Sequence, residues 1–199
     1  MSHKQCLTVL LVCVLTLAAF SAAPAADQYT IDTSHSSILF SIKHLVITKV
    51  KGEFNEYAGT ISYDDQDITK SSVEVTIKTA SIDTKDEKRD AHLRTADFFD
   101  AEKYPEITFK SKRVVKSEDG FVVVGDLTMR GVTKEIEIPF VVSGVITDPW
   151  GNTRMGISAE LKLNRQDYGI SWSNKLDNGG LVVGNDVDIE LEIEAIKAK

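Results

Sequence analysis

Residues 120–142 show the most regular alternation of apolar and polar side chains in the chain. Apolar residues alternate with other residues in the segment before the Arg130-Gly131 pair and again in the segment after it. These positions are Phe121, Val123, Leu127 and Met129 before the pair, and Ile136, Ile138, Phe140 and Val142 after it. Because successive side chains of a strand point to opposite faces, the pattern predicts a β-hairpin with one apolar face. Two strands cannot bury such a face alone, so further strands must enclose it.

The same period of two recurs along most of the remaining chain. It predicts strands at residues 29–32, 36–44, 52–63, 72–78, 107–110, 157–163 and 187–194. A charged segment without Gly or Pro predicts one inserted helix over residues 85–95, capped by Asp83 or Thr84. Long, sequential, half-buried strands are typical of an all-β antiparallel barrel or sandwich. Several strands are long for a typical sandwich, and an eight-stranded barrel has room inside for packed side chains or one small ligand.

The first 25 residues have the order of a secretory signal peptide. Lys4 precedes an uncharged apolar run over residues 6–20, and Ala23-Pro24-Ala25 then fits an A-x-A cleavage site. A membrane anchor is the alternative, but the run is shorter than the roughly 20 residues that span a bilayer. We therefore expect cleavage after Ala25 and a single domain over residues 26–199.

The positions of the cysteines and the net charge indicate the compartment and the kinds of ligand that suit the exported chain. Both cysteines, Cys6 and Cys13, lie in the signal segment, so the mature chain would have no disulfide. An exported, disulfide-free protein fits a bacterial periplasm better than animal secretion. Loss of Lys4 leaves 22 basic and 30 acidic residues and takes the formal charge from −7 to −8. This acidic balance argues against nucleic-acid binding and does not argue against an uncharged, apolar ligand.

Sequence motifs for common catalytic chemistry are absent. The chain has no P-loop, no Gly-rich dinucleotide motif, no H-E-x-x-H and no G-x-S-x-G. The three mature histidines, His35, His44 and His92, are in separate segments without metal-ligand spacing. We therefore expect no metal and no cofactor. A histidine at the barrel mouth acting as a base on a lipid is the enzymatic alternative.

Several short patterns, taken in order, resemble those of one known family. The first are Tyr29-x-Ile31-Asp32-x-x-His35-Ser36, Phe40-x-Ile42-x-His44, Gly52-x-Phe54 and Gly59. The next are Arg89-Asp90-x-His92-Leu93-Arg94, Asp97-Phe98-Phe99-Asp100 and Tyr104-Pro105-x-Ile107-x-Phe109. The last are Gly125-x-Leu127-Thr128-x-Arg130-Gly131-Val132-Thr133-Lys134 and Asn164-Arg165-x-Asp167-Tyr168-Gly169. In this joint order they resemble the YceI-like family of polyisoprenoid-binding, lipocalin-like periplasmic proteins.

This resemblance implies a barrel around a hydrophobic tunnel that binds a long amphiphilic lipid without catalysis. The implied ligand is a polyprenyl chain, an isoprenoid quinone or a fatty-acid derivative. Residues with large side chains on the predicted inner face are the chain-contact candidates, meaning those expected to contact the hydrocarbon chain of the lipid. They are Phe40, Ile42, Phe54, Phe109, Leu127, Met129, Phe140 and Trp172. We expect the polar headgroup at a mouth near His44, His92, Arg94 or Arg130, with Phe98 and Phe99 closing one end. A solid, ligand-free barrel that binds an envelope partner is a further alternative, and a homodimer is left open.

Overall fold

The computed structural model describes residues 26–174 and 179–199. The predicted signal peptide, residues 1–25, lies outside the described residues. Within them, no helix is long and apolar enough to cross a membrane. The strands are β1 Asp27–Ile31, β2 Ser37–His44, β3 Thr48–Phe54, β4 Tyr57–Tyr63, β5 Ser72–Lys78, β6 Ile82–Asp83, β7 Glu106–Ser117, β8 Gly120–Met129, β9 Val132–Thr147, β10 Thr153–Asn164 and β11 Val183–Lys197.

The sheet closes on itself as the predicted eight-stranded antiparallel barrel. The ring runs β1-β4-β5-β7-β8-β9-β10-β11 and returns from β11 to β1. Three further strands lengthen the sheet at one end: β2 continues the line of β1, β3 that of β4, and β6 that of β5. β2 pairs with the first part of β11, β3 pairs with β2, and β6 pairs with β3. Each neighbour in the ring is the next ring strand along the chain, and pairing of the last strand, β11, with the first, β1, closes the ring and leaves few exposed strand edges.

The predicted central hairpin forms with a two-residue turn. Arg130 and Gly131 have φ angles of 51° and 75°, and Met129 pairs with Val132 across the turn. Two successive positive φ values match the right-handed twist of the flanking strands. In addition, a Cβ atom at residue 131 would lie 2.7 Å from the Tyr104 ring, so both conformation and space favour glycine there.

The inserted helix is shorter than predicted and begins at a different cap. Helix α1 spans Glu87–Leu93, and the Asp86 side chain accepts hydrogen bonds from the backbone N–H groups of Lys88 and Arg89. The predicted caps are wrong because Lys85 has a φ of 62°, which breaks the helix before it can reach Asp83 or Thr84. The Thr84 hydroxyl instead donates to the buried Asp90 carboxylate at 2.5 Å. Short 3₁₀ turns at Ile68–Lys70, Thr79–Ser81 and Arg165–Tyr168 were not predicted.

Elements of the chain sort to two barrel ends. The end with α1, called the helix end below, also holds the β8–β9 turn and the Arg165–Tyr168 turn. The opposite end holds the β4–β5 and β9–β10 connections and the two ends of the described barrel sequence. Arg130 ties the helix end together, because its guanidinium donates to the carbonyls of Ala96 and Gly169.

A network of charged side chains braces the opposite end. The Arg154 guanidinium donates to Asp148 Oδ2 at 2.7 Å and to Asp32 Oδ2 at 2.8 Å, and also contacts the Glu194 carboxylate. Hydrogen bonds from His35 and Arg154 lower the pKa of Asp32 from 3.8 to about 2. The Arg154 hydrogen bond likewise holds the pKa of Asp148 below its usual range.

We expect this network to make folding stability fall in acid. A carboxyl whose pKa is lower in the folded state stabilises the protein above its unfolded pKa, and that contribution is lost as pH falls through the folded pKa. For Asp32 the window lies between 3.8 and about 2. Thermal unfolding across this range should show a falling melting temperature, with a shallower fall for Asp32→Asn. Equal slopes for the two proteins would contradict the assignment.

Candidate functional site

A cavity of about 300 Å³ extends along the barrel interior. Its volume lies at the lower limit of about 300 to 1,000 Å³ that is usual for small-ligand sites. The wall consists almost entirely of aliphatic and aromatic side chains. Its polar members are Tyr63, Ser71, Ser72 and Arg165, and Arg165 is the one charged residue among the described wall residues. Such a surface suits a hydrocarbon ligand and offers few polar contacts.

Strand alternation builds this wall, as β11 illustrates. Val187, Ile189, Leu191 and Ile193 line the cavity, and the acidic residues between them lie on the other face of the strand. The same arrangement places Val73, Val75 and Ile77 of β5 on the wall. These two strands therefore contribute aliphatic carbon to the interior and charged side chains to the solvent.

The cavity reaches both ends of the barrel. At the helix end its wall includes Leu93, Phe98 and Phe99 from α1 and the segment after it. At the opposite end it includes Tyr63 of β4 and Ser71 before β5. The cavity is therefore elongated along the strands, the shape required to hold a chain rather than a compact ring.

The structure brings most of the predicted site residues together on the cavity wall. Those that line it are Phe40, Ile42, Phe54, Phe98, Phe109, Leu127, Met129 and Phe140. Their positions follow from strand alternation, apart from Phe98, which is 6% exposed and reaches the wall from the segment after α1. That these residues contact a ligand is still a prediction.

Five predicted site residues lie off the described cavity wall: His44, His92, Arg94, Arg130 and Trp172. His44 is the last residue of β2, opposite Thr48 and Val183. The Arg94 guanidinium donates to the carbonyls of Ala80 and Ile82 at 2.7 and 2.8 Å.

His92 and Trp172 form an aromatic cluster over Phe98. The rings of His92 and Trp172 lie 5.0 and 5.2 Å from that of Phe98 and 5.2 Å from each other. His92 Nε2 also lies 2.8 Å from Asp97 Oδ2, at the protein surface. Since Phe98 itself lines the cavity, the cluster covers the helix end from outside, which is where the sequence predicted a closed mouth.

Sequence reasoning missed Arg165 as a site residue. It follows β10 directly and opens the Arg165–Tyr168 turn, whose cap is the Asn164 side chain. Arg165 is 5% exposed, and burial lowers the pKa of its guanidinium. Its position in the Asn164-Arg165-x-Asp167-Tyr168-Gly169 pattern was the available signal. A turn has no alternation of apolar and polar residues that indicates where each side chain points. The sequence pattern therefore did not show that the Arg165 side chain points inward.

The described residues bring three metal-type ligands together outside the cavity. Donor atoms of Asp32, His35 and Glu194 lie within 4.8 Å of one another. The Arg154 guanidinium contacts both carboxylates, so a protein cation already pairs with this cluster. The arrangement is explained as part of the bracing network rather than as a metal centre.

Comparison with known proteins identifies the same family that the sequence motifs resemble. The YceI-like domain model matches residues 29–195. A UPF0312 protein of Vibrio parahaemolyticus is 42% identical over 180 residues, which cover 88% of this chain and 89% of that protein.

Solved structures show the same barrel. The Campylobacter jejuni YceI protein is 34% identical with a TM-score of 0.67, and the match covers 79% of this chain and 91% of that one. A polyisoprenoid binding domain from Saccharophagus degradans has a TM-score of 0.64 at 16% identity, covering 88% of this chain and 100% of that one. The chain therefore belongs to the YceI-like family.

Proposed function

We propose that this protein is an exported, non-enzymatic carrier of a long-chain amphiphilic lipid. The observation that carries the proposal is the elongated cavity of about 300 Å³ with an almost wholly apolar wall. The candidate ligands are a polyisoprenoid, an isoprenoid quinone or a fatty-acid derivative. The structural similarity to a polyisoprenoid binding domain supports this class of ligand.

The mechanism is the transfer of hydrocarbon out of water. Each CH₂ group that leaves water for an apolar wall contributes about 0.8 kcal/mol. Association costs of at least about 4 kcal/mol must be offset first. A long chain with more than about five enclosed CH₂ groups therefore binds with useful affinity, and a short one does not. A protein that binds in this way needs no catalytic group.

A periplasmic location is part of the proposal. It is supported by the signal-peptide order of residues 1–25 and by the absence of cysteine from residues 26–199. Lipids that must pass between two membranes are insoluble in the space between them, so a protein with an enclosed apolar cavity would serve as their carrier.

The test is to express the full chain in a bacterium and purify it from the periplasmic fraction. Intact mass should show a chain that begins at Ala26, and organic extraction followed by mass spectrometry should release one class of long-chain lipid. The same protein stripped of lipid is the control for carry-over. Repeated preparations without lipid, which also fail to bind added lipid, would contradict the proposal.

Two alternatives have less support. For catalysis at the barrel mouth by His44 or His92, neither histidine lies on the described wall of the cavity. A solid barrel that acts only as an envelope partner requires a lumen filled by side chains, and the interior instead contains the cavity. Replacement of both histidines by Ala should leave any lipid in the purified protein chemically unchanged.

A further inference from the structure

We infer that the Arg165 guanidinium binds an anionic headgroup, a carboxylate or a phosphate, of the lipid whose chain occupies the cavity. This inference rests on the proposed function and adds the headgroup class and the orientation of the ligand. It begins from one feature of the wall. Arg165 is the only charged side chain among the described wall residues, and it is 5% exposed.

The protein holds this cation with neutral groups. Arg165 Nε donates to the Gly184 carbonyl at 2.7 Å, Nη1 to the Ile170 carbonyl at 2.7 Å, and Nη2 to the Val183 carbonyl at 3.4 Å. No carboxylate in residues 26–174 or 179–199 forms an ion pair with it. Within the described part of the chain, backbone carbonyls supply partial negative charge but no full negative charge lies beside the guanidinium.

Such a buried cation is costly unless an anion is added to its surroundings. Moving a charge out of water is unfavourable without an opposite charge beside it. A guanidinium has five N–H donors, and the three carbonyl bonds leave part of this capacity on Nη1 and Nη2. Carboxylate and phosphate groups match this fork with two parallel, charge-assisted hydrogen bonds. A ligand anion would therefore supply the negative charge that the described residues around Arg165 lack.

A second polar group in the same turn also lacks a partner. The Tyr168 hydroxyl is buried and has no hydrogen-bond partner among the described residues. Buried hydroxyl groups are rarely left without a partner. Tyr168 belongs to an apolar cluster whose other buried members, including Phe54 and Leu127, line the cavity. Both uncompensated polar groups of the Arg165–Tyr168 turn thus lie beside one end of the cavity.

The position of Arg165 also orients the ligand. It lies at the helix end, and the cavity continues to Tyr63, Ser71 and Ser72 at the opposite end. The headgroup would lie under the Phe98 cluster with the hydrocarbon tail extending along the strands. Arg94 and Arg130 also lie at the helix end, but neither is part of the described wall.

The experiment compares lipids that share one chain and differ in headgroup. Stripped full-length mature protein is loaded with an uncharged naphthylamine dye, and displacement is measured with hexadecanoate, hexadecyl phosphate and hexadecanol. Wild-type protein should bind one or both anions about tenfold or more tightly than the alcohol, as expected for a charge-assisted pair. The difference between carboxylate and phosphate identifies the type of anion.

Variants assign the preference to the residue. Arg165→Gln should bring the anion-to-alcohol ratio close to one with alcohol binding retained, and Arg165→Lys should keep part of the preference. The matched control is Arg89→Gln. Arg89 lies at the same end of the barrel, donates to the Thr84 carbonyl at 2.8 Å and is not part of the described wall. It should leave the ratio unchanged.

The wild-type comparison is decisive even if a variant fails to fold. Equal affinity for the anions and the alcohol would overturn the headgroup inference and leave the carrier proposal intact, pointing to a neutral headgroup such as a quinone. A preference that survives in Arg165→Gln would also overturn it. If neither the anions nor the alcohol displaces the dye, the carrier proposal fails together with this inference.

Discussion

Ala159→Phe should abolish most lipid binding while the barrel still folds. Ala159 is 8% exposed, lies on β10 between Phe140 and Leu191 of the neighbouring strands, and lines the cavity. A phenyl ring at this position would occupy space in a cavity of about 300 Å³. Excluding two or three CH₂ groups costs about 2 kcal/mol of binding free energy, which is about a thirtyfold rise in Kd.

The measurement is displacement of an apolar dye by hexadecanol, which has no charged group to compensate for lost chain contacts. The matched control is Ala58→Phe, the same substitution at an exposed position on β4 outside the described wall. Overpacking also costs about 1 to 3 kcal/mol of stability, so thermal unfolding must show that both variants are folded. Unchanged affinity in a folded Ala159→Phe protein would place the lipid outside this cavity.

Gly125→Ala should be the most damaging small substitution in the central hairpin. A Cβ atom at residue 125 would lie 2.4 Å from the Lys110 carbonyl oxygen and 2.8 Å from Ser111 Cα. Both are backbone atoms of β7, where the pairing register shifts between Ser111 and Arg113 because Lys112 is an extra, bulged residue. The backbone must move to admit the methyl group, so we expect a loss of about 3 kcal/mol in the free energy of unfolding.

Denaturant unfolding of wild type and variant measures this loss. Gly156→Ala is the matched control, because a Cβ atom there would meet nothing closer than Ser143 Cβ at 3.5 Å, an ordinary contact. Like Gly125, Gly156 lies in a strand beside a register shift, so the loss of a glycine from a strand is the same in both variants. The comparison therefore isolates the effect of the space available to the methyl group. Equal unfolding midpoints for wild type and Gly125→Ala would show that β7 can shift without cost.

Strand alternation was a sufficient guide to most of the cavity wall. Phe40, Phe109, Leu127 and Phe140 were placed inward from sequence, and all of them line the cavity. A strand residue has only two faces available, so one apolar face settles the direction of every side chain along it. The same reasoning predicted the eight-stranded antiparallel barrel, which the structure confirms.

Sequence patterns were a weaker guide where side-chain direction depends on contacts far away in sequence. Arg94 and Arg130 were chosen as charged residues near a mouth, but their guanidiniums are tied to backbone carbonyls off the described cavity wall. The helix boundary failed for a local reason, because a single residue with positive φ, Lys85, moved the cap to Asp86. No periodic pattern reports either effect.

The order of apolar and polar residues was thus enough to predict antiparallel strands that share a hydrocarbon interior. It did not specify which charge would enter that interior. Arg165 points inward because a 3₁₀ turn after β10 directs it to the carbonyls of Gly184 and Ile170, one of them 19 residues away in sequence. The direction of a side chain in a strand follows from the two-residue alternation of the strand itself. The direction of a side chain in a turn follows from hydrogen bonds that form only after distant segments of the chain have come together.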